Sequence, residues 1–115
     1  MARWIRFHDS EQDAWSYVEL DEQLWALRQV GLRGIDHRPV TAASLAEVLD
    51  LRDHADLAAM TEYERRYGVL AEASFDGWEQ AEHASEIAAD VFERAWADAR
   101  RALDAHGGDS AQQAD

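Results

Sequence analysis

SEIAADVFERAWADARRALDA, residues Ser85–Ala105, carries the most complete helix signal in the chain. Ile87, Val91, Phe92, Ala95, Trp96, Ala99 and Leu103 recur at three- and four-residue spacing, so a helix would gather them into one stripe. Ser85 is placed to cap the free N–H groups of the first turn. Glu86 and Asp90 suit the N-terminal end, Arg100, Arg101 and His106 the C-terminal end, and Gly107–Gly108 a stop. An apolar stripe of this length needs a cover, and the rest of the chain reads as that cover.

Working outward, RWIRFH (Arg3–His8) is rich in β-formers and alternates Trp4, Arg6 and His8 against Ile5 and Phe7. It reads as a strand with Ile5 and Phe7 inward. AWSYVEL (Ala14–Leu20) alternates Trp15, Tyr17 and Glu19 against Ser16, Val18 and Leu20, a second strand after the polar loop Asp9–Asp13. The Ile5/Phe7 and Val18/Leu20 faces are the expected cover for the C-terminal stripe. Asp21–Gln23 suits a turn. Leu24–Leu32 fits strand and helix alternation almost equally; its neighbours form a meander and it runs into the turn-like RGIDHRP, so it reads as strand. Pro39–Ala43 suits a short edge strand. The result is an antiparallel meander of three or four strands.

Beyond Thr41 the periodicity becomes helical. Ser44 and Glu47 have capping-box spacing, and Leu45, Val48 and Leu49 begin a stripe continued by Ala55, Ala59, Met60, Tyr63 and Tyr67. Asp53–His54 is the expected break between a short helix and a longer one over Ala55–Tyr67, ended by Gly68. Val69–Ala84 reads as a loop pinned to the body by Phe75 and Trp78. GGDSAQQAD (107–115) reads as a disordered tail, leaving residues 1–106 as one α+β domain packed on two or three helices.

The chain has 115 residues, 24 acids against 11 bases, and a formal net charge of −13. Every base is Arg, and Lys, Asn and Cys are absent, a bias that fits GC-rich coding as in actinobacteria. The missing cysteine excludes disulfides, thiolate metal sites and a cysteine nucleophile. The missing lysine excludes a phosphate-loop lysine and Schiff-base chemistry. The acidic balance opposes nucleic acid and anionic membranes and permits a basic protein partner. No run approaches the roughly 18 apolar residues of a membrane span, and the N-terminus lacks a signal-peptide pattern, so a cytoplasmic chain is expected.

No residue pattern dictates a catalytic chemistry. No serine lies in a nucleophile elbow, no HExxH occurs, and no cofactor is expected. Asp53, His54 and Asp56 are better read as a helix cap than as metal ligands. His8 with Glu19, supported by Tyr17, is the acid–base pair to test, provided the strand register brings them together. Trp4, His8, Trp15, Tyr17, Glu19 and Arg28 are the candidate ligand-binding set, an aromatic platform if they share one sheet face. Asp9, Glu11 and Asp13, with Glu72, Asp76, Glu79 and Glu82, are the candidate contacts for a basic partner. A homodimer through a sheet edge or the aromatic face is the remaining partner expectation.

WIRFHD (Trp4–Asp9), YVELDEQ (Tyr17–Gln23), LRQV (Leu27–Val30) and EIAADVFERAW (Glu86–Trp96) together resemble a family of small bacterial α+β proteins with no agreed activity. The resemblance covers the first and last parts of the chain better than Leu45–Tyr67. It implies a small antiparallel sheet with a packed C-terminal helix, and similar small acidic proteins act as immunity proteins beside toxins. It carries no functional residue across. The expected function is therefore a noncatalytic, immunity- or antitoxin-like interaction domain, with a small-molecule binder or minor enzyme on the aromatic face as the alternative.

Overall fold

A computed structural model describes the backbone of residues 2–114 and the side chains of residues 2–105. Strands β1 (Arg3–Asp9), β2 (Ala14–Leu20), β3 (Ala26–Arg33) and β4 (Pro39–Ser44) lead into helices α1 (Leu45–His54) and α2 (Leu57–Tyr67). A single 3₁₀ turn (Trp78–Gln80), strand β5 (Glu82–Glu86) and helix α3 (Ala89–Ala114) complete the chain. The fold is α+β, with one antiparallel sheet in the order β4-β3-β2-β1-β5.

The four expected strands are present, and local chemistry explains their joints. Asp21 Oδ1 accepts from the N–H groups of Gln23 and Trp25, which fixes the β2–β3 turn. Leu24 sits inside that turn at φ 66°, so β3 begins only at Ala26. Ser44 Oγ accepts from Glu47 N and starts α1, and Asp56 Oδ1 accepts from Ala59 N at 2.9 Å and starts α2. Asp56 is thus a cap, and the break falls at Ala55–Asp56. Gly68 ends α2 at φ 81°, and a Cβ there would meet Thr41 Oγ1 at 2.8 Å.

Pairing register divides the side chains between two faces. Ile5, Val18, Leu20, Ala26 and Ala43 are buried on one, beneath Leu70, Phe75 and Trp78 from the segment after α2. Val30 and Ala42 are buried on the other, beneath Phe92 and Ala99 of α3, with Trp4, Tyr17, Leu32, Ile87, Trp96 and Leu103 around them. The sheet is therefore covered on both sides, and each fully buried side chain of Phe92 or Ile5 size contributes about 1.5–3 kcal/mol.

Three expectations are corrected. The stripe of α3 packs on the Trp4/Tyr17 face, not on Ile5/Phe7 and Val18/Leu20; the latter face is filled by Leu70, Phe75 and Trp78. Ser85 is not a helix cap. Ser85 and Glu86 pair with Arg6 and Ile5 as part of β5, Ile87 N continues the ladder to Trp4 O at 2.8 Å, and the helix starts at Ala89. The loop expected over Val69–Ala84 accordingly contains a 3₁₀ turn and the start of a fifth strand, though Phe75 and Trp78 do pin it to the core. Beyond these three, the helix stop expected at Gly107–Gly108 is not where α3 ends: its backbone runs through both glycines to Ala114, over the stretch expected as a tail.

Candidate functional site

Strand register settles which sequence candidates share a face. Trp4 lies opposite Glu19, Arg6 opposite Tyr17 and His8 opposite Trp15; across the next interface Glu19 lies opposite Arg28. Trp4, His8, Trp15, Tyr17, Glu19 and Arg28 therefore all stand on the face that α3 crosses. The platform is divided by that helix into two ends with different chemistry.

At the covered end, Trp4 Nε1 donates to Glu19 Oε2 at 3.0 Å, and Arg28 Nε donates to Glu19 Oε1 at 2.8 Å. Arg28 also donates two bonds to Glu93 of α3, at 2.8 and 2.7 Å, and its guanidinium carbon lies 4.9 Å from the Phe92 ring centroid. The hydrogen bonds that Arg28 donates to Glu93, and then to Glu19, raise its pKa against the effect of burial, and the same contact lowers that of Glu93. Trp4, Glu19 and Arg28 thus clamp α3 to the sheet. His8 and Glu19 share the face but belong to different pair rows, so they do not form the acid–base pair considered from sequence.

The other end gathers titratable groups. His8 Nε2 lies 3.1 Å from Asp13 Oδ1, and Nδ1 lies 3.5 Å from Glu82 Oε2. The His8 ring centroid is 4.9 Å from that of Trp15 and 6.1 Å from that of His83. A register shift of β5 between Arg6 and His8, with His83 at φ 51°, brings Glu82 and His83 together to this corner. Ser10 Oγ donates to Glu82 Oε1 at 2.8 Å, tying the β1–β2 turn to β5. The hydrogen bond with Asp13 is the largest cause of a raised His8 pKa; partial burial opposes it and Glu82 adds to it. Asp9 Oδ1 accepts from Glu11 N at 3.0 Å, folding the turn so that Glu11 and Asp13 are exposed beside it.

The acidic candidates therefore separate. Asp13 and Glu82 meet at the His8–Trp15 corner, and Asp9 and Glu11 lie in the adjoining β1–β2 turn. Glu72 instead pairs with Arg52 of α1, and Asp76 and Glu79 lie on the segment whose Phe75 and Trp78 cover the opposite face. Among the described residues, no group of three or more His, Asp or Glu side chains could hold a metal ion, and Asp53, His54 and Asp56 are not gathered.

A third cluster escaped the sequence reading. Arg100 Nε donates to Ala42 O at 2.8 Å, and its other nitrogens meet Glu47 and the Tyr63 hydroxyl. The Tyr63 hydroxyl accepts from Ser44 N at 2.8 Å and donates to Glu47 Oε1 at 2.7 Å. Burial raises the Tyr63 pKa to about 12. Burial also works most strongly against the Glu47 charge, but bonds from Arg100 and Tyr63 leave its pKa lowered. The Ser44/Glu47 spacing is the only sequence signal of this cluster; Tyr63 and Arg100 enter it through tertiary contact. Its polar groups are mutually satisfied, which marks it as the joint among β4, α1, α2 and α3.

No family model matches the chain, and no curated protein or solved structure matches it.

Proposed function

We propose that this chain is a noncatalytic cytoplasmic interaction domain of the immunity- or antitoxin-like kind, and that it binds a basic protein partner at the His8–Trp15 corner. The observation that carries this reading is the convergence of Asp13 and Glu82, distant in sequence, on either side of one imidazole beside an aromatic wall. Their side chains are 62% and 55% exposed, so both carboxylates reach solvent while touching His8. An Arg or Lys of a partner would meet paired acceptors and the Trp15 ring at once. The net charge of −13 would speed encounter with such a partner and make it salt-sensitive. No helix among the described residues is long and apolar enough to cross a membrane, in keeping with an interaction in aqueous surroundings.

Capture at low salt from cells of the source organism tests this reading, using the wild type, D13N/E82Q, and D50N/D53N, which removes the same charge from α1. Retention of a basic protein by the wild type and D50N/D53N but not by D13N/E82Q is expected. Equal retention by all three, or by none, contradicts it.

A further inference from the structure

A groove of about 320 Å³ runs between α3 and the sheet, separate from the acidic corner. Its apolar lining comes from Tyr17, Leu32 and Pro39 on one side and Val91 and Ala95 on the other, and its polar lining from His37, Arg94 and Asp98. The volume falls within the range of small-molecule sites. Val91 is 42% exposed although it belongs to the apolar stripe of α3, so the helix does not close over this part of the sheet.

Most arginines of the molecule face a carboxylate. Arg3, Arg28, Arg33, Arg52, Arg65 and Arg100 each face a carboxylate within ion-pair distance. Arg94 has no such partner among the described residues, although acids outnumber bases two to one. Asp98, one helical turn away, is turned to Arg101 at 3.5 Å. The Tyr17 hydroxyl, also in the lining, makes no hydrogen bond among the described residues. One guanidinium without an ion pair and a free phenol thus line a largely apolar trough.

We propose that this groove binds a small aromatic carboxylate, with the ring against Leu32, Pro39, Val91 and Ala95 and the carboxylate toward Arg94 and the Tyr17 hydroxyl. A bound carboxylate supplies the acceptors that these groups lack, and Arg can engage it with two parallel bonds. The ring matches the apolar trough, and Arg94 selects an anion over a cation there, the Asp98 carboxylate being held by Arg101. The site is independent of the acidic corner and stands or falls without it.

Heteronuclear NMR titration of the full chain with naphthoate and with its neutral counterpart naphthylmethanol tests the assignment. Shifts at Tyr17, Leu32, Ala95 and the Arg94 side chain are expected, with naphthoate about tenfold tighter than the alcohol. R94Q, at an exposed position, should bring naphthoate down to the alcohol's affinity and leave the alcohol unchanged. A95F, which fills the trough, should weaken both. Equal affinities of the two probes for the wild type, insensitivity of naphthoate to R94Q, or the absence of shifts in the groove would overturn the proposal.

Discussion

His8 Nε2 stands 3.1 Å from Asp13 Oδ1 across the turn of its own hairpin, and this contact raises the imidazole pKa above its ordinary 6.5. A raised folded-state pKa stabilises the fold fully below the unfolded-state value and loses that effect as pH rises through the folded one. The wild type should therefore gain more stability relative to H8Q at about pH 5.5 than at about pH 8.5. Urea denaturation of both proteins at both pH values checks this. An advantage of the wild type that grows with pH contradicts it.

The same contact depends on a glycine two strands away. Gly34 N donates to Asp13 O at 2.6 Å, and a Cβ at residue 34 would lie 2.1 Å from Asp13 Oδ1 and 2.7 Å from its backbone oxygen. G34A must displace Asp13, so the His8 pKa should fall back toward its ordinary value. NMR titration of the His8 ring protons in both proteins measures this, and an unchanged titration would show that Asp13 is not held by the Gly34 contact.

Helix α3 packs through a narrower stripe than its sequence suggests. Phe92 is fully buried and Val91 is 42% exposed. F92A should cost about 3–5 kcal/mol of unfolding free energy. V91A should cost no more than about 0.5 kcal/mol. Comparable losses in the two variants, read from chemical denaturation, would mean that α3 is rotated from the orientation described.

Tyr63 replaces the usual second half of a capping box. The Glu47 carboxylate does not reach back to Ser44 N; the Tyr63 hydroxyl stands between them, accepting from one and donating to the other. Y63F removes the hydroxyl that accepts from that N–H in a residue only 8% exposed. The expected loss is about 1–3 kcal/mol, from an unsatisfied buried donor and a weakened Glu47 site. A change within about 0.5 kcal/mol in urea denaturation would mean that water replaces the hydroxyl there.

Much of the fold is legible in local pattern. Alternation at Ile5/Phe7 and Val18/Leu20 gives strands, and Ser44, Asp56 and Gly68 punctuate the helices through bonds to their own neighbours. What local pattern does not carry is choice between equivalent partners. Ser85 can cap a helix or pair with Arg6, and only the presence of β1 makes pairing win. Both faces of β1 and β2 carry large apolar residues, so alternation alone does not say that α3 takes the Trp4/Tyr17 side. The candidate corner was half legible: Asp13 follows His8 within one hairpin, whereas Glu82 and His83 arrive through a strand and bulge with no short-range signal. Arg94 drew no notice because the lack of an ion pair is visible only once the tertiary partners of the arginines are known.

The acidic corner is tested most directly by NMR titration of the protein with a short arginine-rich peptide at low salt. Acids are spread over the whole chain, so nonspecific attraction would act everywhere. Shifts concentrated at Asp13, Trp15, Glu82 and His83, fading with added salt and absent in D13N/E82Q, are the predicted result. Shifts shared equally with Asp50, Asp53 and Glu62, or unchanged in D13N/E82Q, would contradict the account.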